Sequence, residues 1–152
     1  AWTLAGPPIS RELQVSWIEA LLRVEDPGFR LHRGVDFATP GQGWTTITQA
    51  LTKRLYFDNF SPGFAKLEQS LIARFVLDPA ISKDEQLDLF LSLAYFGDVD
   101  GRPVIGFRNA AQIYHRKALG ELSREEFMAL VAMLPAPNDL KPGTAANAER
   151  VA

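Results

Sequence analysis

The segment from Ser82 to Phe96 limits the possible folds more than any other part of the chain. Ser82-x-x-Glu85 is a capping box that opens a helix over 83–96. Leu87, Leu89, Phe90, Leu91, Leu93, Ala94 and Phe96 then place apolar side chains around most of its circumference. A helix that is apolar all round must be covered on every side by other elements. The flanking sequence offers helices for that purpose. After Pro7-Pro8, Ser10 is a suitable N-cap, and Leu13, Trp17, Ala20, Leu21 and Val24 recur at helical spacing, predicting a helix over 11–25. Residues 45–57 predict a second helix, with Ile47, Leu51 and Leu55 as its core stripe. Residues 64–77 predict a third, with Phe64, Leu67, Leu71 and Phe75 turned inward. A fifth, over 107–118, packs Ala110 and Ala111 with Ile113 and Tyr114. Ser123-x-x-Glu126 is a second capping box and opens a helix over 124–133, stopped by Leu134-Pro135-Ala136-Pro137. Residues 58–63 and 98–103 read as turn and loop, and the tail from Lys141 as frayed. No strand-like alternation with turn signals on both sides appears, nor any repeat. The expected fold class is all-α, in a single domain over 1–152.

Composition narrows the function. The 152 residues are 47% hydrophobic and 22% charged, as in ordinary globular proteins. The net charge of −2, with both signs interspersed, argues for no nucleic-acid partner. There is no cysteine, which excludes disulfides, thiolate metal sites and a cysteine nucleophile. No run reaches the length needed to cross a bilayer. The start, Ala1-Trp2-Thr3-Leu4-Ala5, is not a signal peptide and reads as the interior of a longer product, so a membrane anchor is expected to lie outside this chain.

Chemistry concentrates where the first predicted helix ends. Glu25 and Asp26 fall at its last turn, and Pro27-Gly28 forces the chain to bend. Carboxylates there face the negative end of the helix dipole, which costs stability and tends to raise their pKa towards the range of a general base. Phe29, His32, Gly34 and Asp36 follow on the loop. Glu25, Asp26, His32 and Asp36 could be drawn as a metal cluster, but their spacing matches no standard ligand pattern, so no metal site is assigned. His115 reads as a polar position on the fifth helix. On the second helix, Thr46, Gln49 and Lys53 share the face opposite the apolar stripe. That face is either solvated or suited to a polyoxygenated ligand. The glycine-rich approach at 39–43 would leave backbone N–H groups open to an anion.

Glu25-Asp26-x-x-Phe29-x-x-His32-x-Gly34-x-Asp36 resembles the first signature of the peptidoglycan glycosyltransferase family, which includes monofunctional transglycosylases and domains of bifunctional penicillin-binding proteins. Gly43-Trp44-Thr45-Thr46-Ile47-Thr48-Gln49-Ala50-Leu51-Thr52-Lys53 is similar to its second. Tyr95-Phe96-Gly97, Ala110-Ala111-x-x-Tyr114-x-x-Lys117 and Leu134-Pro135-Ala136-Pro137 follow in the family's order. The resemblance implies a lysozyme-like multi-helix domain at the outer face of the cytoplasmic membrane. The activity it implies is polymerisation of lipid II into glycan strands, with Glu25 as general base and Lys53 on the donor diphosphate. Asp26, Phe29 and His32 match residues that shape the cleft, and Thr46 and Gln49 match the helix that meets the donor. The partners implied are lipid II, the growing glycan strand, the membrane surface and other cell-wall synthesis proteins. No cofactor is required, with a divalent cation (Mg or Mn) as an optional helper at the diphosphate.

Departures from the pattern fall on the donor side. The family's second glutamate, in an Arg-Lys-x-x-Glu pattern, falls on Gln69 when counted without gaps from Lys53. Glu68 stands before it and Ser70 after, and the opening arginine is Ala65. A basic residue upstream is Ser61, the motif's second glutamine is Ala50, and the stretch between Asp36 and Gly43 is short. One donor to a developing negative charge can be worth ~3–4 kcal/mol. Arg54, Lys66, Arg74 and Glu68 are the available substitutes. Two readings therefore compete with a working polymerase. One is a relative that binds lipid II or glycan without turnover. The other is a lysozyme-like hydrolase, which needs a second carboxylate from Asp26, Asp36 or Glu68.

Overall fold

The computed structural model describes residues 7–38, 45–59 and 63–151. The stretch 39–43, Trp44 and the Ser61-Pro62 turn singled out above lie outside them. The described chain is mostly helical, in the order α1 (Val15–Glu25), α2 (Ile47–Tyr56), α3 (Phe64–Ile72), α4 (Lys83–Leu93), β1 (Tyr95–Val99), β2 (Arg102–Ile105), α5 (Phe107–Ala110), α6 (Arg124–Met133) and α7 (Ala145–Val151). It gathers into two compact units, one from residues 19–90 and the other from 7–18 with 91–151.

In the unit of residues 19–90, α2 packs on α3 and its continuation. Leu21, Phe29, Ile47, Leu51, Leu77 and Leu87 form its core. The third helix corrects the sequence reading. Phe64, Leu67, Leu71 and Phe75, expected inside, are exposed, Phe64 at 93% and Phe75 at 66%. The buried face carries Gln69, Ala73 and Leu77 instead, itself an i, i+4, i+8 stripe. Helical period shows that a helix has two faces; which one the partner covers depends on what the partner offers. Here α2 presents polar backbone and side-chain groups, and Gln69 meets them. Beyond Ile72 the helix widens into a π turn, Ala73–Leu77, before a last turn at Asp78–Ala80. The polar face of α2, Thr46, Gln49 and Lys53, is not solvated as a whole, since Thr46 and Gln49 are buried while Lys53 is exposed.

In the other unit, aromatic rings run from Trp17 to Phe127 (5.3 Å), from Phe127 to Phe107 (5.6 Å) and from Phe107 to Phe96 (4.8 Å). Four expectations change here. Residues 9–12 form a separate 3-10 turn that contains Ser10, so the first α-helix starts later, at Val15. Residues 95–105, expected as helix end and loop, form an antiparallel hairpin with Val99 opposite Arg102. Its turn is Asp100-Gly101, both at positive φ (52° and 73°), the geometry a tight hairpin favours. The Asp-Gly pair is the signal that marks it in the sequence. The fifth helix is short, passing at Ala111 into a π turn that ends at His115. The tail also folds, because α7 buries Asn147, whose Nδ2 donates to Ala129 O at 2.8 Å and Leu140 O at 2.9 Å.

Both capping boxes form as read. Glu126 accepts from the Ser123 N–H at 2.7 Å and meets Lys117 Nζ at 2.7 Å. Lys117, then the Ser123 N–H, hold Glu126 below the usual carboxylate range. A carboxyl group with a lowered pKa in the fold adds stability above its unfolded pKa and loses it as pH falls through the folded one. An NMR titration should therefore place Glu126 below an ordinary glutamate. Lys117→Met should move its midpoint upward and shrink the acid-side stability loss that Glu126 contributes.

Candidate active site

The acidic turn is built as the sequence suggests, but its two carboxylates part company. Glu25 is the last residue of α1 and is half-buried. Asp26 is fully buried. Its N–H closes the helix on Leu22 O at 2.8 Å, and its C=O accepts from Phe29 N at 2.9 Å across the Pro27-Gly28 bend. The side chain does not suffer the negative end of α1. Its Oδ2 accepts from Ile47 N, the first residue of α2, at 2.9 Å, so the charge sits at the positive end of a second helix. Both carboxylate oxygens also lie 3.0 Å from His32 Nε2. A carboxylate can only accept, so Nε2 carries the proton in that bond. Phe29 is buried below, with His32 edge-on to its ring at 6.3 Å and Lys83 Nζ 4.9 Å from the ring centroid.

The start of α2 is also engaged at Thr46 and Gln49. Thr46 Oγ1 accepts from Gln49 N at 3.1 Å, and Gln49 Oε1 accepts from Thr46 N at 2.9 Å, a reciprocal capping box. Thr46 Oγ1 also donates to Gly34 O at 2.6 Å, tying the loop to the helix. The anion expected at this helix end is thus supplied by the chain's own Asp26, and Thr46 and Gln49 serve first as caps. A sequence pattern of Thr-x-x-Gln already carries that signal. Deeper in the unit, Thr48 Oγ1 donates to Gln86 Oε1 at 2.6 Å and Gln86 Nε2 to Asp78 Oδ1 at 3.0 Å, a buried link the sequence reading missed.

Where α3 meets α2, Gln69 is buried, and its Nε2 donates to Gln49 O at 2.6 Å. Its Oε1 is buried without a hydrogen-bond partner among the described residues. Gln49 Nε2 donates to Ser70 Oγ at 2.9 Å, and Ser70 Oγ to Lys66 O at 2.9 Å. These bonds lock α3 on α2 and bring Lys66 close to Lys53. Burial, then the charge of Lys53, lower the Lys66 pKa, and Lys66 Nζ donates to Thr45 Oγ1 at 3.0 Å. Lys53, Arg54 and Glu68 are exposed on the same two helices. His115 belongs to the other unit and takes no part. Burial there holds its pKa below the ordinary histidine value.

The described chain is thus mostly helical, with an acidic turn clamped to a Thr-x-x-Gln-capped, lysine-bearing helix. The chain belongs to the transglycosylase family, whose sequence model matches residues 9–152. It is 32% identical over 130 residues to the biosynthetic peptidoglycan transglycosylase of Shewanella amazonensis, covering 78% of this chain and 51% of that protein. With the biosynthetic peptidoglycan transglycosylase of Alcanivorax borkumensis it shares 34% over 110 residues, 72% of this chain and 43% of that one. With penicillin-binding protein 1B of Buchnera aphidicola it shares 29% over 143 residues, 86% of this chain and 19% of that protein. The chain therefore spans about half the length of those transglycosylases and a smaller part of the penicillin-binding protein.

Two substitutions test this architecture. Asp26→Ala strands the Ile47 N–H and His32 Nε2 and should cost about 3 kcal/mol in urea unfolding. Gln69→Glu replaces the only donor to Gln49 O within that side chain by a buried carboxylate, and should cost about 2 kcal/mol or more. A glutamate at position 69 that left the unfolding midpoint unchanged would show that the Gln69 bond does not hold α3 in place.

Proposed function

We propose that this chain is a peptidoglycan glycosyltransferase domain that polymerises lipid II, with Glu25 as general base and Lys53 at the donor diphosphate. Glu25 takes the proton from the acceptor sugar's 4-hydroxyl. The freed oxygen pair forms a bond to the donor's anomeric carbon while the bond from that carbon to the diphosphate breaks. The polyprenyl diphosphate leaves with the electron pair, and negative charge grows on it through the transition state. Lys53, with Lys66 beside it, is suited to that charge. The observation that carries the reading is the bond from Asp26 to Ile47 N, which fixes the turn bearing Glu25 to the helix bearing Lys53. Asp26, Phe29, His32, Thr46, Gln49 and Gln69 act by positioning, since all are committed to packing or hydrogen bonds within the unit. Arg54 and Glu68 stay available to substrate. A divalent cation at the diphosphate would be an optional helper to Lys53 and Lys66. Among the described residues no three His, Asp or Glu side chains converge on such a site. No step is routed through a metal.

The stripe Phe64, Leu67, Leu71 and Phe75 suits contact with a bilayer, and supports work at the outer face of the cytoplasmic membrane on a lipid-linked substrate, with the glycan strand and other wall-synthesis proteins as partners. None of the described helices is long and apolar enough to cross that membrane. A second reading, binding of lipid II or glycan without turnover, is favoured by Gln69, because the residue at the family's second glutamate is spent on Gln49 O.

Incubating the full chain with lipid II in detergent separates the two. Glycan chains should form, Glu25→Gln should slow them about a thousandfold, and Lys53→Met about a hundredfold. Lipid II binding with no polymer above the Glu25→Gln background would establish the second reading instead.

A further inference from the structure

Two arginines outside the catalytic set meet at one small groove. Arg33 lies on the loop after α1, and Arg74 on the π turn after α3. Their meeting depends on Gly34, at φ +81°, where a Cβ would stand 2.4 Å from Ala73 O. Only a glycine lets the loop backbone rest on the π turn in this way. Arg74 Nη1 then donates to Arg33 O at 3.4 Å. The groove, of about 380 Å³, is lined by Arg33, Arg74, Phe75, Asp78 and Pro79. Its carboxylate is already engaged, since Asp78 Oδ1 takes Lys83 Nζ at 2.7 Å and Gln86 Nε2 at 3.0 Å. Among the described residues neither Arg33 nor Arg74 is in an ion pair. The two arginines that line the groove therefore leave it a net positive charge, which suits an anionic headgroup.

One residue connects this groove to the apolar surface. Phe75 lines it and also ends the exposed stripe of Phe64, Leu67 and Leu71, with exposed Val76 next in the chain. Cationic groups beside an exposed apolar face suit the headgroup level of an anionic bilayer better than a free anion in water. We infer that the groove of Arg33 and Arg74 binds the net negative headgroup of an anionic glycerophospholipid while the stripe rests on the bilayer. This rests on the membrane-contact reading above, and it adds a selectivity that an apolar stripe alone does not have.

Sedimentation of the full chain with phosphatidylcholine vesicles, with and without phosphatidylglycerol, tests it. The chain should bind both, and phosphatidylglycerol should tighten binding. Arg33→Gln with Arg74→Gln should weaken binding to the phosphatidylglycerol vesicles about twentyfold and leave binding to phosphatidylcholine alone unchanged. Arg33→Lys with Arg74→Lys, which keeps the charge, should retain most of the preference. Phe64→Ser with Leu71→Ser should weaken binding to both vesicles. If the double glutamine variant, with an unchanged melting temperature, keeps the full preference, the groove is not the lipid site although membrane contact stands. If it melts early, loss of the preference in the double lysine variant as well would overturn the proposal. If the unsubstituted chain binds neither vesicle, the groove proposal and the membrane-contact reading both fail.

Discussion

A single buried carboxylate holds three segments of this protein in register. Asp26 ends one helix through its backbone, begins another through its side chain at Ile47 N, and fixes the loop between them through His32. A charge without water is stable only when its oxygens are met by donors, and here a helix N-terminus and an imidazole N–H meet both. The adjacent Glu25, the last residue of α1, takes its place in the chain from this joint.

The join between α2 and α3 follows a different logic. Gln69 gives its amide proton to the backbone carbonyl of Gln49, something a carboxylate cannot do, so it is built into the packing of α3 on α2. On the two helices that Gln69 joins, the charge of Lys53 adds to burial in lowering the Lys66 pKa. The same packing turns the large apolar side chains of α3 outward, so the burial of Gln69 and the exposure of Phe64, Leu67, Leu71 and Phe75 are set by one interface.

What could be read in advance was local. The two Ser-x-x-Glu boxes, the helix stop at Pro27-Gly28 and the limits of the helix over 124–133 depend on neighbours a few residues away, and all stand as expected. The Asp100-Gly101 hairpin was equally local, and its turn pair marks it even though the flanking residues do not alternate cleanly. The colinear motifs identified the family for the same reason, since residue types at fixed spacing survive without knowledge of packing. By contrast, the facing of α3, the burial of Thr46 and Gln49, and the folding of the tail around Asn147 all involve partners distant in sequence.

The sequence by itself determined that the chain is helical, where Glu25 stands relative to a helix end, and which family the motifs belong to. These follow from backbone hydrogen-bond closure and residue spacing, which act within a turn or two. Only the tertiary structure decided that Asp26 caps α2, that Gln69 faces inward while Phe64 and Phe75 face out, and that Arg33 meets Arg74. Each depends on which donor or acceptor another segment brings to the same place, and periodicity carries no record of that partner.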